Sequence, residues 1–120
     1  MESGAISDAQ ISASSEYNAD HAAIQGRLNF QETKKKAGSW SARTTNASQW
    51  LQIDLGNHPT KVRRLASQGR NYNPSRPFGH HSQWVTRYKV QYSNDGSSFQ
   101  YYKEQGQSAE KVKTACRNIH

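Results

Sequence analysis

Residues 84–103 read WVTRYKVQY, SNDGSS, FQYYK in succession, and this segment limits the fold more than any other. Trp84, Thr86, Tyr88, Val90 and Tyr92 recur at every second position, with Arg87, Lys89 and Gln91 between them. A period of two puts alternate side chains on opposite faces of an extended chain, which is the pattern of a half-buried strand. Asn94-Asp95-Gly96 follows, and Asn and Gly tolerate the positive φ of a tight hairpin turn. The segment therefore predicts a strand over 84–92, a turn at 93–98 and a returning strand over 99–103.

The same alternation recurs in SQWLQIDLG, where Leu51, Ile53 and Leu55 alternate with Gln52 and Asp54. This predicts a strand over 50–55. Near the start, Ile11 and Ala13 share a strand face. The stretch KVRRLASQG predicts a further strand over 61–67. Residues 14–49 and 70–83 are polar, Gly- and Ser-punctuated, and without a helical stripe. Long loops of that kind tend to be functional. Short strands separated by turns, with no helical pattern, argue for an all-β antiparallel sandwich or barrel. From Glu104 onward the pattern breaks. That tail reads as disordered or as a short frayed helix.

Only 32% of the 120 residues are hydrophobic, so three Trp, six Tyr and three Phe must supply much of the core. The formal net charge of +7 favours anionic partners. Its clusters are small, Lys34-Lys35-Lys36 and Arg63-Arg64, and no nucleic-acid-binding signature accompanies them. No nucleic-acid partner is expected. Cys116 is the lone cysteine, which excludes an internal disulfide and a cysteine zinc site. The first ten residues lack the basic region and apolar run of a signal peptide.

No catalytic constellation emerges. His21, His58, His80, His81 and His120 lack metal-ligand spacing, and the serines lack a nucleophile elbow. Glu16 and Asp20 are a carboxylate pair within a loop, suited to a cation or a sugar hydroxyl but better read as solvated. The expectation is a binding module: not an enzyme, with no catalytic residues, no metal and no cofactor. Tyr17, Asn18, His21, Arg43, Arg70, Asn71, Tyr72 and His80 gather in the polar loops. Aromatics with amide and guanidinium neighbours stack on sugar rings and bond hydroxyls or carboxylates. Each tyrosine could equally pack beneath its own loop. Asn46-Ala47-Ser48 matches the N-glycosylation acceptor triplet, a pattern common by chance.

The segments MESGAISDAQISASSEYNADHAA, QGRLNF, GSWSA, QWLQIDLG, SQGRNY and WVTRYKVQYSNDGSSFQYY resemble, in order, the discoidin domain, also called the coagulation factor V/VIII C-type domain. The wording is similar to invertebrate extracellular versions. The resemblance implies a distorted jelly-roll β-sandwich or barrel, like a galactose-binding domain, over 1–107, with a non-matching polar tail at 108–120. It implies a secreted or cell-surface adhesion module that meets cell-surface glycans or extracellular matrix protein through loops at one end, here near 15–29, 38–48 and 70–82. Peripheral binding to acidic phospholipid headgroups is the alternative, with Ile24 and Phe78 as apolar tips. Tyr17 stands where the first loop often carries an exposed aromatic. Arg70 stands where the third loop often carries a basic contact, and Trp50 matches a structural tryptophan. The family's closing strands have no match near the C-terminus. The fold is therefore expected to be incomplete there, to expose an open edge, and to be marginal or without activity alone.

Overall fold

A computed structural model describes residues 5–70, 83–103 and 105–106, together with the backbone of 112–114. Among these residues, six short strands make three antiparallel ladders: β1 (Ile11–Ala13) with β2 (Leu51–Ile53), β3 (Arg87–Lys89) with β6 (Val112–Thr114), and β4 (Gln91–Tyr92) with β5 (Gln100–Tyr101). Helical structure among the described residues is confined to three short 3-10 turns, Asp8–Gln10, Ala19–His21 and Ala23–Gly26.

The β1–β2 ladder follows the alternation read from the sequence. Ile11 pairs with Ile53 and Ala13 with Leu51. Ile11 is buried while its neighbour Ser12 is exposed. Further hydrogen bonds lengthen the ladder. Gln10 donates through Nε2 to the Asp54 carbonyl at 2.8 Å, and Ser14 N donates to the Trp50 carbonyl at 3.0 Å. Among the described residues, Ala23 and Ala37 are the other buried apolar side chains besides Ile11. Leu51 also reaches the 3-10 turn at Gly26, where a Cβ would lie 3.3 Å from Leu51 Cδ2 and 3.4 Å from Trp40 Cβ.

Trp50, structural by the resemblance, has its backbone bonded to Ser14 through both N and O. It stands on the Gln52 side of the strand, opposite Leu51 and Ile53, and is 49% exposed. Period two decides this, since neighbouring residues cannot share a face. Trp40 is better covered: it is half-buried, and its indole Nε1–H donates to the Ser15 carbonyl at 2.9 Å.

The strand expected over 84–92 forms at 87–89 and 91–92. Tyr88 and Val90 are its better-covered residues, as the alternation requires, but Trp84, Thr86 and Tyr92 of the same expected face are exposed. Between the two pieces the Val90 carbonyl accepts from Tyr102 N at 2.8 Å, so the backbone bonding runs on toward β5. The expected strand over 61–67 does not form: these residues are exposed and belong to no ladder among the described residues. The physical reason is the sequence of its faces. Lys61, Arg63 and Leu65 share one side, Val62 and Arg64 the other, so neither side is apolar enough to dock. The tail reading also changes. Residues 112–114 are a strand, with Val112 opposite Lys89 and Thr114 opposite Arg87. A three-residue stretch with few aliphatics gives no periodic signal, and only the unfilled edge of β3 selects it as a strand.

The Asn94-Asp95-Gly96 turn forms as expected, with Gly96 at φ +74°. Asp95 Oδ1 accepts from Ser97 N, Ser98 N and Ser93 Oγ, each at 2.8 Å. These bonds favour the charged form. The Ser98 and Ser97 backbone donors, then the Ser93 hydroxyl, hold the Asp95 carboxyl down to about 2. A depressed carboxylate contributes stability above its unfolded value of 3.8 and loses it as pH falls through about 2. The β4–β5 hairpin of the wild-type chain should thus loosen between those limits. Asp95→Asn keeps an acceptor oxygen but cannot titrate, and should remove that dependence. Amide chemical shifts of residues 93–98 across an acid titration check this.

Candidate functional site

The first two polar loops are knitted together through backbone groups. Tyr17 N donates to the Ser41 carbonyl at 2.8 Å, Ser41 N to His21 O at 3.2 Å, and Ala37 N to Asp20 O at 2.9 Å. Side chains complete the join. The Ser15 hydroxyl accepts from Arg43 N at 3.0 Å and donates to Gln49 Oε1 at 2.6 Å. Gln49 then reaches Asn46 Oδ1 and Thr44 Oγ1 through its Nε2, at 2.9 and 3.1 Å. Two segments that look like free loops in sequence are therefore one fixed platform.

Tyr17 stands on that platform 62% exposed, its ring meeting the His21 imidazole edge-on at 5.5 Å between centroids. Asn18 caps the 3-10 turn at Ala19–His21. Its Oδ1 accepts from Asp20 N at 3.1 Å and lies 2.7 Å from His21 Nδ1. An oxygen that accepts the Asp20 amide also accepts from the ring, so Nδ1 of His21 carries the proton. Burial lowers the His21 pKa and the nearby Arg70 charge adds to the effect, so the imidazole is neutral at pH 7. Glu16, read as a free carboxylate, is committed: its Oε1 accepts from Ala23 N at 2.7 Å and starts the turn Ala23–Gly26.

Arg43 is exposed and bonds the platform through Nε, which donates to the Glu16 carbonyl at 3.4 Å. Arg70 sits differently. Its side chain is 13% exposed, paired at 3.3 Å with Glu32 Oε1, and its NH1 reaches Gln83 Oε1 at 3.2 Å. Arg70 thus ties the third loop to the 32–37 turn. Tyr17 and Asn18 are brought together with His21, Arg43 joins the platform at Ser15 and Glu16, and Arg70 is close enough for its charge to act on His21. Asn71, Tyr72 and His80 lie outside the described residues. No cluster of metal-ligating side chains occurs among the described residues. Sequence reasoning missed Glu32, Gln49 and Trp40. For Glu32 no local signal exists, because its cation is 38 residues away.

This order of loops and strands agrees with the family comparison, in which the F5/8 type C domain model matches residues 10–118. The chain belongs to the F5/8 type C, or discoidin, domain family. Membership places it among the β-sandwiches, and the matched span takes in β6. Lactadherin of Rattus norvegicus is 37% identical over 111 residues, covering 90% of this chain and 24% of that protein. The EGF-like repeat and discoidin I-like domain-containing protein 3 of Homo sapiens is 38% identical over 115 residues, or 93% of this chain and 22% of the relative. Coagulation factor V of Pseudonaja textilis is 32% identical over 118 residues, 98% of this chain and 8% of the relative. The discoidin-type chain therefore spans about a quarter or less of these curated relatives.

Proposed function

We propose that this chain is the recognition module of a secreted or cell-surface protein. Seated on a discoidin-type jelly roll, it binds cell-surface glycans or matrix protein through the platform built by residues 15–29 and 38–48. It acts as a binder and not as a catalyst. The observation that supports this reading most is the setting of Tyr17. Other aromatics of the chain are exposed too, but Tyr17 has its backbone fixed to Ser41 and its ring set edge-on against His21. A pre-ordered flat face gives up little entropy when a sugar ring stacks on it. Asn18 Nδ2 and the exposed Arg43 guanidinium supply donors for hydroxyl or carboxylate oxygens beside it.

A second reading is peripheral binding to acidic membranes. The +7 charge supports it, as do Lys34, Lys35 and Lys36, exposed on the turn closed by the Thr33–Lys36 bridge. Against it, Ile24 is half-buried in its 3-10 turn and is not an apolar tip. Phe78 lies outside the described residues. Insertion needs several exposed apolar groups.

A glycan array and liposome co-sedimentation, each run over a salt series, test the two together. Stacking and hydroxyl contacts should persist at high ionic strength, whereas acidic-lipid binding should fade as the Debye length shrinks. Tyr17→Ala should weaken glycan or matrix binding about tenfold or more and leave the unfolding midpoint unchanged. Wild-type affinity in that variant would remove Tyr17 from the site.

A further inference from the structure

We infer that Asn46 is an attachment site for an N-linked oligosaccharide, and that the second loop divides the two ends of its side-chain amide between separate tasks. The inference rests on the extracellular reading above, since glycosyl transfer takes place in the secretory lumen. The triplet Asn46-Ala47-Ser48 alone is weak evidence; the structure adds the geometry. Asn46 Oδ1 accepts from Ser48 N at 2.9 Å and from Gln49 Nε2 at 2.9 Å. A backbone N–H can only donate, so the atom facing Ser48 N must be the oxygen. The nitrogen is thereby turned away from the turn. Among the described residues its one hydrogen bond is a 3.4 Å approach to Thr44 Oγ1, at the limit of a useful hydrogen bond. Residues 43–48 are all exposed, so a sugar chain has an open path into solvent.

The chemistry suits this division. The donor is a lipid-diphosphate-linked oligosaccharide. A bond forms between Asn46 Nδ2 and the anomeric carbon of the sugar, and the bond from that carbon to the diphosphate oxygen breaks. The lipid diphosphate leaves with the electron pair, and one Nδ2 proton passes to a base of the transferase. Nothing is oxidised or reduced. The product amide keeps its carbonyl, so both bonds that Asn46 Oδ1 accepts in the loop survive. Through Gln49 and Ser15 the same carbonyl supports the platform carrying Arg43, so the sugar is anchored beside the proposed ligand face without loosening it.

The test is expression in eukaryotic cells behind a heterologous secretion signal. Peptide N-glycosidase treatment in heavy-oxygen water marks each vacated asparagine. Asn46 should be marked in most molecules, and Asn46→Asp and Ser48→Ala should abolish the mass shift. Asn46→Asp, the residue that the glycosidase also leaves behind, keeps the acceptor oxygen, while Asn46→Ala, which loses it, should unfold several degrees lower than Asn46→Asp. Translation into microsomes gives the same mass readout for any variant that is not secreted. An unmodified Asn46 in both systems overturns the attachment site, and equal midpoints for the Ala and Asp variants overturn the role of the carbonyl. Neither outcome depends on ligand binding, so failure here is separable from failure of the recognition reading.

Discussion

Arg70→Ala is expected to lower the unfolding free energy by about 3 kcal/mol, because it removes the cation from a buried ion pair. The Glu32 side chain is 4% exposed and that of Arg70 13%, so solvent cannot replace the lost charge. For a chain of this size the midpoint should fall by roughly 10 °C. Read from sequence alone, Arg70 is a ligand contact whose loss spares the fold; the ion pair makes Arg70→Ala a stability variant first. Replacing both partners together, Arg70→Met with Glu32→Leu, should recover most of the loss, since an apolar pair leaves no buried charge. Thermal unfolding of the two single variants and the double variant measures the coupling directly. A midpoint unchanged in Arg70→Ala would show that the pair contributes nothing. Ligand binding by Arg70→Ala is informative only well below its lowered midpoint.

Gly38→Ala should cost about as much, roughly 3 kcal/mol, by strain in place of charge. Gly38 lies at φ +66°, and an added Cβ would stand 2.7 Å from Glu32 N, 2.8 Å from Gln31 C and 3.0 Å from Phe30 O. All three are backbone atoms, so no side chain can swing aside. Gly96 provides the control. It also has a positive φ, +74°, yet an added Cβ there meets nothing within 4 Å. Gly96→Ala should therefore cost about 1 kcal/mol, the conformational term alone. Denaturant unfolding of both variants separates strain from collision. Equal costs at the two positions would mean that the approach at Gly38 relaxes without penalty. Because the collision falls on Glu32, Gly38→Ala and Arg70→Ala act on one locus, and their effects should not add.

The hairpin at 91–101, the β1–β2 faces and the Asp95 turn are legible in the amino-acid sequence, because each depends on neighbours within a few positions. Alternation states which side chains share a face, and Asn-Asp-Gly states where the chain can reverse. The family, too, is readable from QWLQIDLG, GSWSA and the hairpin wording. Period two states which residues share a face, and by that rule Trp50 lies on the face opposite Leu51 and Ile53.

The linear order of residues thus specifies the local material: strand faces, one turn, and loops rich in groups that bind. Which loops become rigid, which arginine is spent inside and which segment fills an edge are settled only when the chain is folded. Tyr17 on Ser41, Arg43 on Ser15 and Arg70 on Glu32 are contacts between residues 24 to 38 positions apart. No periodicity records them. A strand exists only where a partner meets it, so Val112–Thr114 pairs beside β3 while the better-looking 61–67 belongs to no described ladder. Hydrogen-bonding and charge partners are chosen by proximity in space, and proximity is the one quantity a linear pattern of residues does not carry.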